Sequence, residues 1–493
     1  MTALHYRPAH ELVADLKSGA LSSVQLTQAL LERIREVNGD INAVVTLAGD
    51  AALIQAKKAD ERRENGEPLG ALHGLPVTVK DTWEVAGMLC TAGAPKLSDY
   101  HPATHADVIE RLTAAGAIIM GKTNVPIYAG DIQSYNRLFG VTRNPHNLER
   151  TSGGSSGGSA AATATGMTPL ELGSDLAGSV RIPAHFCGVF GHKPSRAILS
   201  FRGHIPGPPG TLSRPDLPEG GPIARTARDL ELMLGVIAGP GKLEARSWAL
   251  NLSPSKITSL GEARVGHWLQ DPLCPVEQSL TEAYEALASE LEKAGAMVAP
   301  ATHDLLSMEH IMPVYFNLLG SLLSVSLTPA QRRQMKWVAR LEKLLRLFFP
   351  MTAGSAQFGR GVNQPVHDWF VWNEVREKMR SRIDELFQEF DVLLTPVTPT
   401  TAIPHDYERP VSRRRIQVNG ESRAYLDQFC WIAMATLLGL PATTVPIGKS
   451  REGLPYSVQV IGAPGMDLTT LRFADLLEQS GLAGFVPPES YPA

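Results

Sequence analysis

Only four cysteines occur in the 493 residues, Cys90, Cys187, Cys274 and Cys430, and no two of them form a C-x-x-C pair. That scarcity excludes a disulfide scaffold and a zinc knuckle and fits reduced, buried thiols. Long apolar runs are missing too: no stretch of about 18 apolar residues is present, so no segment reads as a membrane span. The first residues, MTALHYRPAHELVADL, lack the basic start and apolar stretch of a secretory leader. A dense basic face is also absent, the net charge being −4, which removes the electrostatic case for a nucleic-acid partner. Around His73, His185 and His192 no cluster has metal-ligand spacing. The expectation is a cytoplasmic protein without metal or cofactor that acts on small or neutral molecules, away from nucleic acid and membrane.

Apolar residues make up 43% of the chain and charged residues 19%, enough to bury a large core. Near the N-terminus, LSSVQLTQALLERIREVNG opens on a Ser22-to-Gln25 capping-box spacing. It carries Leu26, Leu30, Ile34 and Val37 on one face, so it reads as an outer helix that stops at Asn38-Gly39. Then LPVTVKD reads as a strand ending in charge, HADVIERLTAAG as a helix and AIIMGKTN as another strand. Such alternation predicts an α/β layered fold. Residues 200–221 are rich in proline and glycine and read as a long surface loop.

Residues 300–390 turn mainly helical. TPAQRRQMKWVARLEKLLRLFF has Thr328 as N-cap, Pro329 at the first helical position and Gln331 closing the box, with Trp337, Leu341, Leu344, Leu345 and Phe348 on one stripe. This reads as a helix packed on its own domain, with a substrate lid or partner surface as the alternative. DVLLTPVTPT, GLPATTVPIG and GLPYSVQVIG then read as strands that resume the sheet. The expected organisation is one domain over 1–493: an N-terminal helical segment to 65, a core over 66–240, a variable helical, substrate-covering region over 300–390, and a return to the sheet over 391–493.

The stretch RTSGGSSGGSAAATATG, residues 150–166, resembles a flexible linker at first sight. A linker joins independent units, however, and this one runs into SAAATATGM, a good helix former, and the strand-like TPLELGSD. A phosphate-binding turn at a helix N-terminus is a second reading, but the lysine that should end such a loop is missing. Gly153-x-Ser155-x-Gly157 formally matches a nucleophile elbow. That elbow needs a strand just before it, and NPHNLERTSG does not read as one. Downstream, in LGSDLAGSVRIPAHFCGVFGHKPS, Ser179 follows Ala177-Gly178, small residues that let backbone and substrate approach closely. Cys187, in the same stretch, reads as a buried small side chain rather than a nucleophile.

GGSSGGSAA followed by GSDLAGSVRIPA resembles the amidase signature family of serine hydrolases. The likeness continues through AAGAIIMGKTN, FGVTRNP, GPIARTARDLELM and the two C-terminal strand-like runs, so it spans nearly the whole chain. It implies a central mixed, twisted β-sheet covered by helices on both faces. It also implies a Ser-cisSer-Lys triad of Lys80 in the VKD context, Ser155, held in a cis peptide, and Ser179. By the same resemblance the backbone N–H groups of Leu176, Ala177, Gly178 and Ser179 form an oxyanion hole. Ser156 reads as a support of the loop or of Ser155, or as a helix cap, and Asp175 and Arg181 read as a buried structural pair that sets the turn, with substrate ligands as the alternative.

The chemistry accounts for these residue types. A serine hydroxyl is a weak nucleophile unless a base removes its proton during attack. Ser155 would relay the proton of Ser179 to Lys80, and water would complete hydrolysis through the reverse relay. A free lysine, with a pKa of about 10.4, is neutral in only about one molecule in a thousand near neutral pH. Lowering it to roughly 7 to 8 means about 3 to 5 kcal/mol of disfavoured charge, which burial can supply. Asp81 is therefore expected to point away, and Ala177 to sit at negative φ.

The resemblance implies hydrolysis of a small hydrophobic or aryl amide through an acyl-enzyme, with carbamates or esters as alternative substrates of the same triad. A relative that supplies ammonia from glutamine within a multi-subunit transfer-RNA amidotransferase has an LKPTYGRVSRYG-like continuation, where this chain has HKPSRAILSFRGHIPGPPG. That departure favours a stand-alone amidase, with a homodimer as an assembly the reading allows. Met312, Tyr315, Phe316, Leu318 and Leu319 read either as a pocket wall or as ordinary core.

Overall fold

Strands buried on both faces build the centre of the protein. The computed structural model describes residues 3–345 and 350–492. Its main sheet has eleven strands: β1 Val44–Leu47, β2 Pro76–Lys80, β3 Ile118–Thr123, β4 Leu170–Asp175, β5 Phe190–Lys193, β6 Glu219–Ala224, β7 Arg264–His267, β8 Met297–Pro300, β9 Val392–Pro396, β10 Ala442–Lys449 and β11 Pro455–Ile461. Across the sheet they run β1-β3-β2-β4-β6-β5-β10-β11-β9-β7-β8. The sheet is mixed: β2 pairs in parallel with both β3 and β4, whereas β4–β6, β6–β5, β5–β10, β10–β11 and β11–β9 are antiparallel. Every residue of β2, β3, β4 and β6 is buried, as central strands flanked by helices require. One buried apolar cluster runs from Ala9 to Tyr491 and joins the first helices to the last. The α/β architecture expected from the sequence is the one observed. Among the described residues no helix is long and apolar enough to cross a membrane.

Several local expectations hold. Ser22 caps the helix Ser23–Ile41 through a full capping box with Gln25, and Thr328 does the same with Gln331 for Pro329–Arg340. The three C-terminal runs do rejoin the sheet as β9, β10 and β11.

Others need correction. The first of these helices does not stop at Asn38-Gly39 but continues to Ile41, where Asn42 takes a left-handed conformation. Asn38 instead turns its side chain back to accept from the N–H groups of Ala43 and Val44. Residues Asn147–Thr151 do form a strand, paired with Arg143–Asn144 in a hairpin outside the main sheet. The expected stripe is neither on one helix nor packed inward: the helix ends at Arg340, a short one follows over Glu342–Leu345, and Trp337 is 61% and Leu344 53% exposed. Phe348 lies outside the described residues.

The expected surface loop over 200–221 holds in its middle, where residues 206–210 and 212–214 are exposed, and fails at its two ends. Phe201, Gly203, His204 and Ile205 are buried, and its end is strand β6. Gly221 lies on β6 beside its antiparallel neighbour β5, and a Cβ there would come 2.1 Å from the His192 carbonyl oxygen. Gly221→Ala is expected to force these strands apart and cost about 1–3 kcal/mol. A lowered urea midpoint with an unchanged m-value would report it, and an unchanged midpoint would show that the sheet accommodates the methyl.

Candidate active site

Strands β2 and β4 are parallel neighbours in register at Thr78–Glu171 and Val79–Leu172. Their carboxyl ends therefore emerge at the same edge, the place where open α/β sheets present reacting groups. Lys80 ends β2, and Ser174 and Asp175 end β4.

The glycine-rich stretch crosses the same edge because it can pack where larger residues cannot. A Cβ on Gly154 would come 2.8 Å from the Asp131 carbonyl oxygen, and one on Gly158 would lie 2.4 Å from the Asn124 nitrogen. The Gly154–Ser155 peptide bond is cis. Ser134 holds the turn from outside: its hydroxyl donates to the Ser155 carbonyl at 3.3 Å and accepts from the Gly157 N–H at 3.0 Å. The helix Gly157–Ala164 then runs inward with every residue buried. Ser156 occupies the N-cap position without a side-chain capping bond, and its hydroxyl donates to the Ser174 carbonyl at 3.4 Å.

Lys80 is completely buried, and its Nζ donates to Ser155 Oγ at 2.7 Å, Ser174 O at 3.1 Å and Ser174 Oγ at 3.0 Å. Burial pulls its pKa down to about 7, against the opposing charges of Asp175 and Glu171. Burial likewise raises Glu171 to about 7, and the hydroxyls of Thr78 and Thr123 hold that carboxyl. Asp81 points away from Lys80, as expected: it takes Lys122 Nζ at 3.2 Å and the Thr91 amide. The lysine next to it in the sheet thus has a carboxylate partner, and Lys80 has none among the described residues.

The second serine sits on a turn built around Asp175. Gly178 is left-handed at φ +84°, and a Cβ there would lie 2.7 Å from Ile182 Cδ1. Ala177 is not among the residues at positive φ. Asp175 accepts from the N–H groups of Gly178 at 2.9 Å, Val180 at 3.1 Å and Arg181 at 3.3 Å. It meets the Arg181 guanidinium in two contacts, at 2.9 and 3.0 Å. Burial alone would raise the Asp175 carboxyl, but Arg181 and these donors hold it at about 2. Arg181 reaches on to Gln459, Thr436 and the Ile432 carbonyl, so the expected structural pair is a clamp across the sheet. Ser179 O accepts from the Ser156 N–H at 3.1 Å, which ties the two serine-bearing turns together.

Two expectations change here. The Gly178 N–H is not free for an oxyanion because Asp175 takes it, whereas the N–H groups of Leu176, Ala177 and Ser179 have no acceptor among the described residues. Ser179 Oγ has no hydrogen-bond partner among them either, so of the two contacts the expected relay needs, the one from Lys80 to Ser155 is made and the one from Ser155 to Ser179 is not. Catalytic hydrogen bonds commonly tighten only once substrate is bound.

Two buried residues escaped the sequence reading. Ser174 stands beside the expected pair partner Asp175, and His204 Nε2 lies 2.9 Å from its hydroxyl. No pattern around His204 marks it, because it lies in a Pro/Gly-rich run whose burial only the fold reveals. Of the other histidines near the motifs, His192 pairs with Asp467 and His185 accepts from the Ser457 N–H. Cys187 is buried, as expected. Met312, Tyr315, Phe316, Leu318 and Leu319 are buried on the helix Met308–Leu323. Arg181→Met would strand Asp175 as an unpaired buried charge, with an expected loss of about 3–5 kcal/mol. Denaturant unfolding reads that loss, and a change below about 1 kcal/mol would mean the clamp is dispensable.

The family model described as Amidase matches residues 25–471. A glutamyl-tRNA(Gln) amidotransferase subunit of Chloroflexus aurantiacus is 32% identical over 97% of this chain and 97% of its own. A bacterial aryl acylamidase of the amidase signature family superposes with a TM-score of 0.78 at 25% identity, covering 97% of each chain. A chain from a vestigial protein complex that reveals the evolutionary origins of an s-triazine catabolic enzyme superposes with a TM-score of 0.79 at 28% identity, over 97% of this chain and all of its own. The edge at which Lys80, Ser155 and Ser179 gather is thus carried on a fold shared end to end with these proteins, and the chain belongs to the amidase signature family.

Proposed function

We propose that the protein hydrolyses a carboxylic amide through an acyl-enzyme on Ser179, with Ser155 as proton relay and Lys80 as base. The observation that carries this reading is the 2.7 Å contact between Ser155 Oγ and a fully buried Lys80 whose pKa is lowered to about 7. In the forward step the Ser179 oxygen bonds to the carbonyl carbon as its proton passes to Ser155, while the Ser155 proton passes to neutral Lys80. Collapse of the tetrahedral intermediate breaks the C–N bond, and the proton held at Lys80 returns through Ser155 to the leaving nitrogen. Water then attacks the ester by the same route. The oxyanion is stabilised by the amides of Leu176, Ala177 and Ser179, each well-aimed donor contributing about 3 to 4 kcal/mol.

Esters and carbamates offer the same carbonyl to the same groups, so they are the alternative substrates. The likeness to an aryl acylamidase supports a hydrophobic or aryl amide. A second reading, the glutamine-hydrolysing component of an amidotransferase, is supported by the 32% identity to the Chloroflexus aurantiacus protein. A panel of anilides, aliphatic amides, carbamates, p-nitrophenyl esters and glutamine separates them. Turnover of glutamine alone would favour the amidotransferase reading.

A fluorophosphonate probe is expected to label the parent chain and to leave Ser179→Ala unlabelled. Labelling that persists in Ser179→Ala removes Ser179 as nucleophile. Because the base works only when neutral, the labelling rate should fall as pH drops through about 7 and level off above it. In Lys80→Met the residual rate should lose this limb, and wild-type rates at neutral pH would remove Lys80 from the mechanism.

A further inference from the structure

A neutral amine has two N–H groups and one lone pair, and Lys80 Nζ faces three oxygens: Ser155 Oγ, Ser174 O and Ser174 Oγ. The Ser174 carbonyl can only accept, so it takes one N–H. The other N–H and the lone pair are divided between two hydroxyls, each able to donate or accept. If Ser174 donates to Lys80, the lone pair is idled on a side branch. If Ser174 accepts from Lys80, the lone pair faces Ser155, where a base is needed. The direction depends on where the Ser174 proton goes, and the other side chain against Ser174 Oγ is His204, with Nε2 at 2.9 Å.

We propose that His204 is a positioning residue: its Nε2 accepts the Ser174 hydroxyl proton, so that Ser174 accepts from Lys80 and the Lys80 lone pair is aimed at Ser155. The ring is held for this task. Trp83 packs edge-on against it at 4.5 Å between centroids, and Phe201 lies tilted against it at 4.4 Å. Its backbone is stitched to the residues that follow Lys80: Trp83 and His204 form a β-bridge, Glu84 N–H donates to Gly203 O at 2.9 Å and Ile205 N–H donates to Thr82 O at 2.8 Å. An imidazolium here would be buried and would face the cations Lys80 and Lys122, and these effects drive His204 well below its ordinary value of 6.5. A neutral ring with Nε2 as acceptor carries its proton on Nδ1.

The inference rests on Lys80 acting as base, yet the tautomer can be read without turnover. In the full chain carrying 15N-histidine, the His204 signals are those lost in His204→Gln. Near neutral pH they should show a protonated Nδ1 and an unprotonated Nε2, and Ser174→Ala should shift Nε2 toward the free-acceptor position. A protonated Nε2 overturns the proposal. In the hydrolysis of p-nitrophenyl acetate, His204→Phe should lower kcat about tenfold or more with KM within about twofold. His204→Gln, whose amide oxygen can still accept, should recover to within about threefold of the parent, and adding Ser174→Ala to His204→Phe should cost little more. Losses that multiply in the double variant, or that fall on KM, would mean that His204 does not act through Ser174. Should the parent lack Ser179-dependent turnover, the hydrolase reading fails, and the tautomer spectrum alone decides the His204 assignment.

Discussion

A lysine buried among oxygens, with no carboxylate at hydrogen-bond distance among the described residues, is the constraint on which the rest of this structure turns. Lys80 meets two serines and a carbonyl, whereas Lys122, next to it in the sheet, meets Asp81. The difference follows from which way the acidic residue of the Val-Lys-Asp sequence faces. With Asp81 spent on Lys122, no carboxylate among the described residues lies at hydrogen-bond distance from Lys80 to offset the desolvation of its charge, and burial lowers its pKa to about 7. The parallel pairing of β2 with β4 then places that nitrogen beside the end of the strand that leads to Ser179.

Small residues make the convergence possible. Gly154 and Gly158 bring the Ser155 turn against the backbone of neighbouring segments, and Gly157 brings it against the side chains of Ser134 and Ser152, at spacings a Cβ would violate. Gly178 gives the Ser179 turn its left-handed step. Asp175 fixes that turn by taking three of its N–H groups, and its ion-pair partner Arg181 anchors it to strand β11 and to the helix Cys430–Leu437. The amides left over, those of Leu176, Ala177 and Ser179, are the ones the proposed mechanism assigns to the oxyanion. Order in the turn and free donors at its centre therefore have the same cause.

The motif residues were legible because each sits in a local pattern: a strand ending in lysine, a Gly/Ser turn before a helix, and a serine after two small residues. The resemblance tied them together. His204 was not legible, since a Pro/Gly-rich run carries no periodicity from which burial could be read. Ser174 was hidden by the strand it ends, and the loss of the Gly178 amide to Asp175 depends on a φ angle that sequence does not specify. The exposed stripe with Trp337 and Leu344 was misjudged for a related reason. Helical spacing shows which residues share a face but not what that face meets.

The central claim is that one buried proton route leads from Ser179 through Ser155 to Lys80. A crystal structure of the chain after reaction with a fluorophosphonate tests it most directly. The phosphorus should be bonded to Ser179 Oγ, with a phosphonyl oxygen about 3 Å from at least two of the amides of Leu176, Ala177 and Ser179. Ser155 Oγ should bridge Ser179 Oγ and Lys80 Nζ. Phosphorus on Ser155, or a bound Ser179 with Ser155 out of reach of either neighbour, would contradict it.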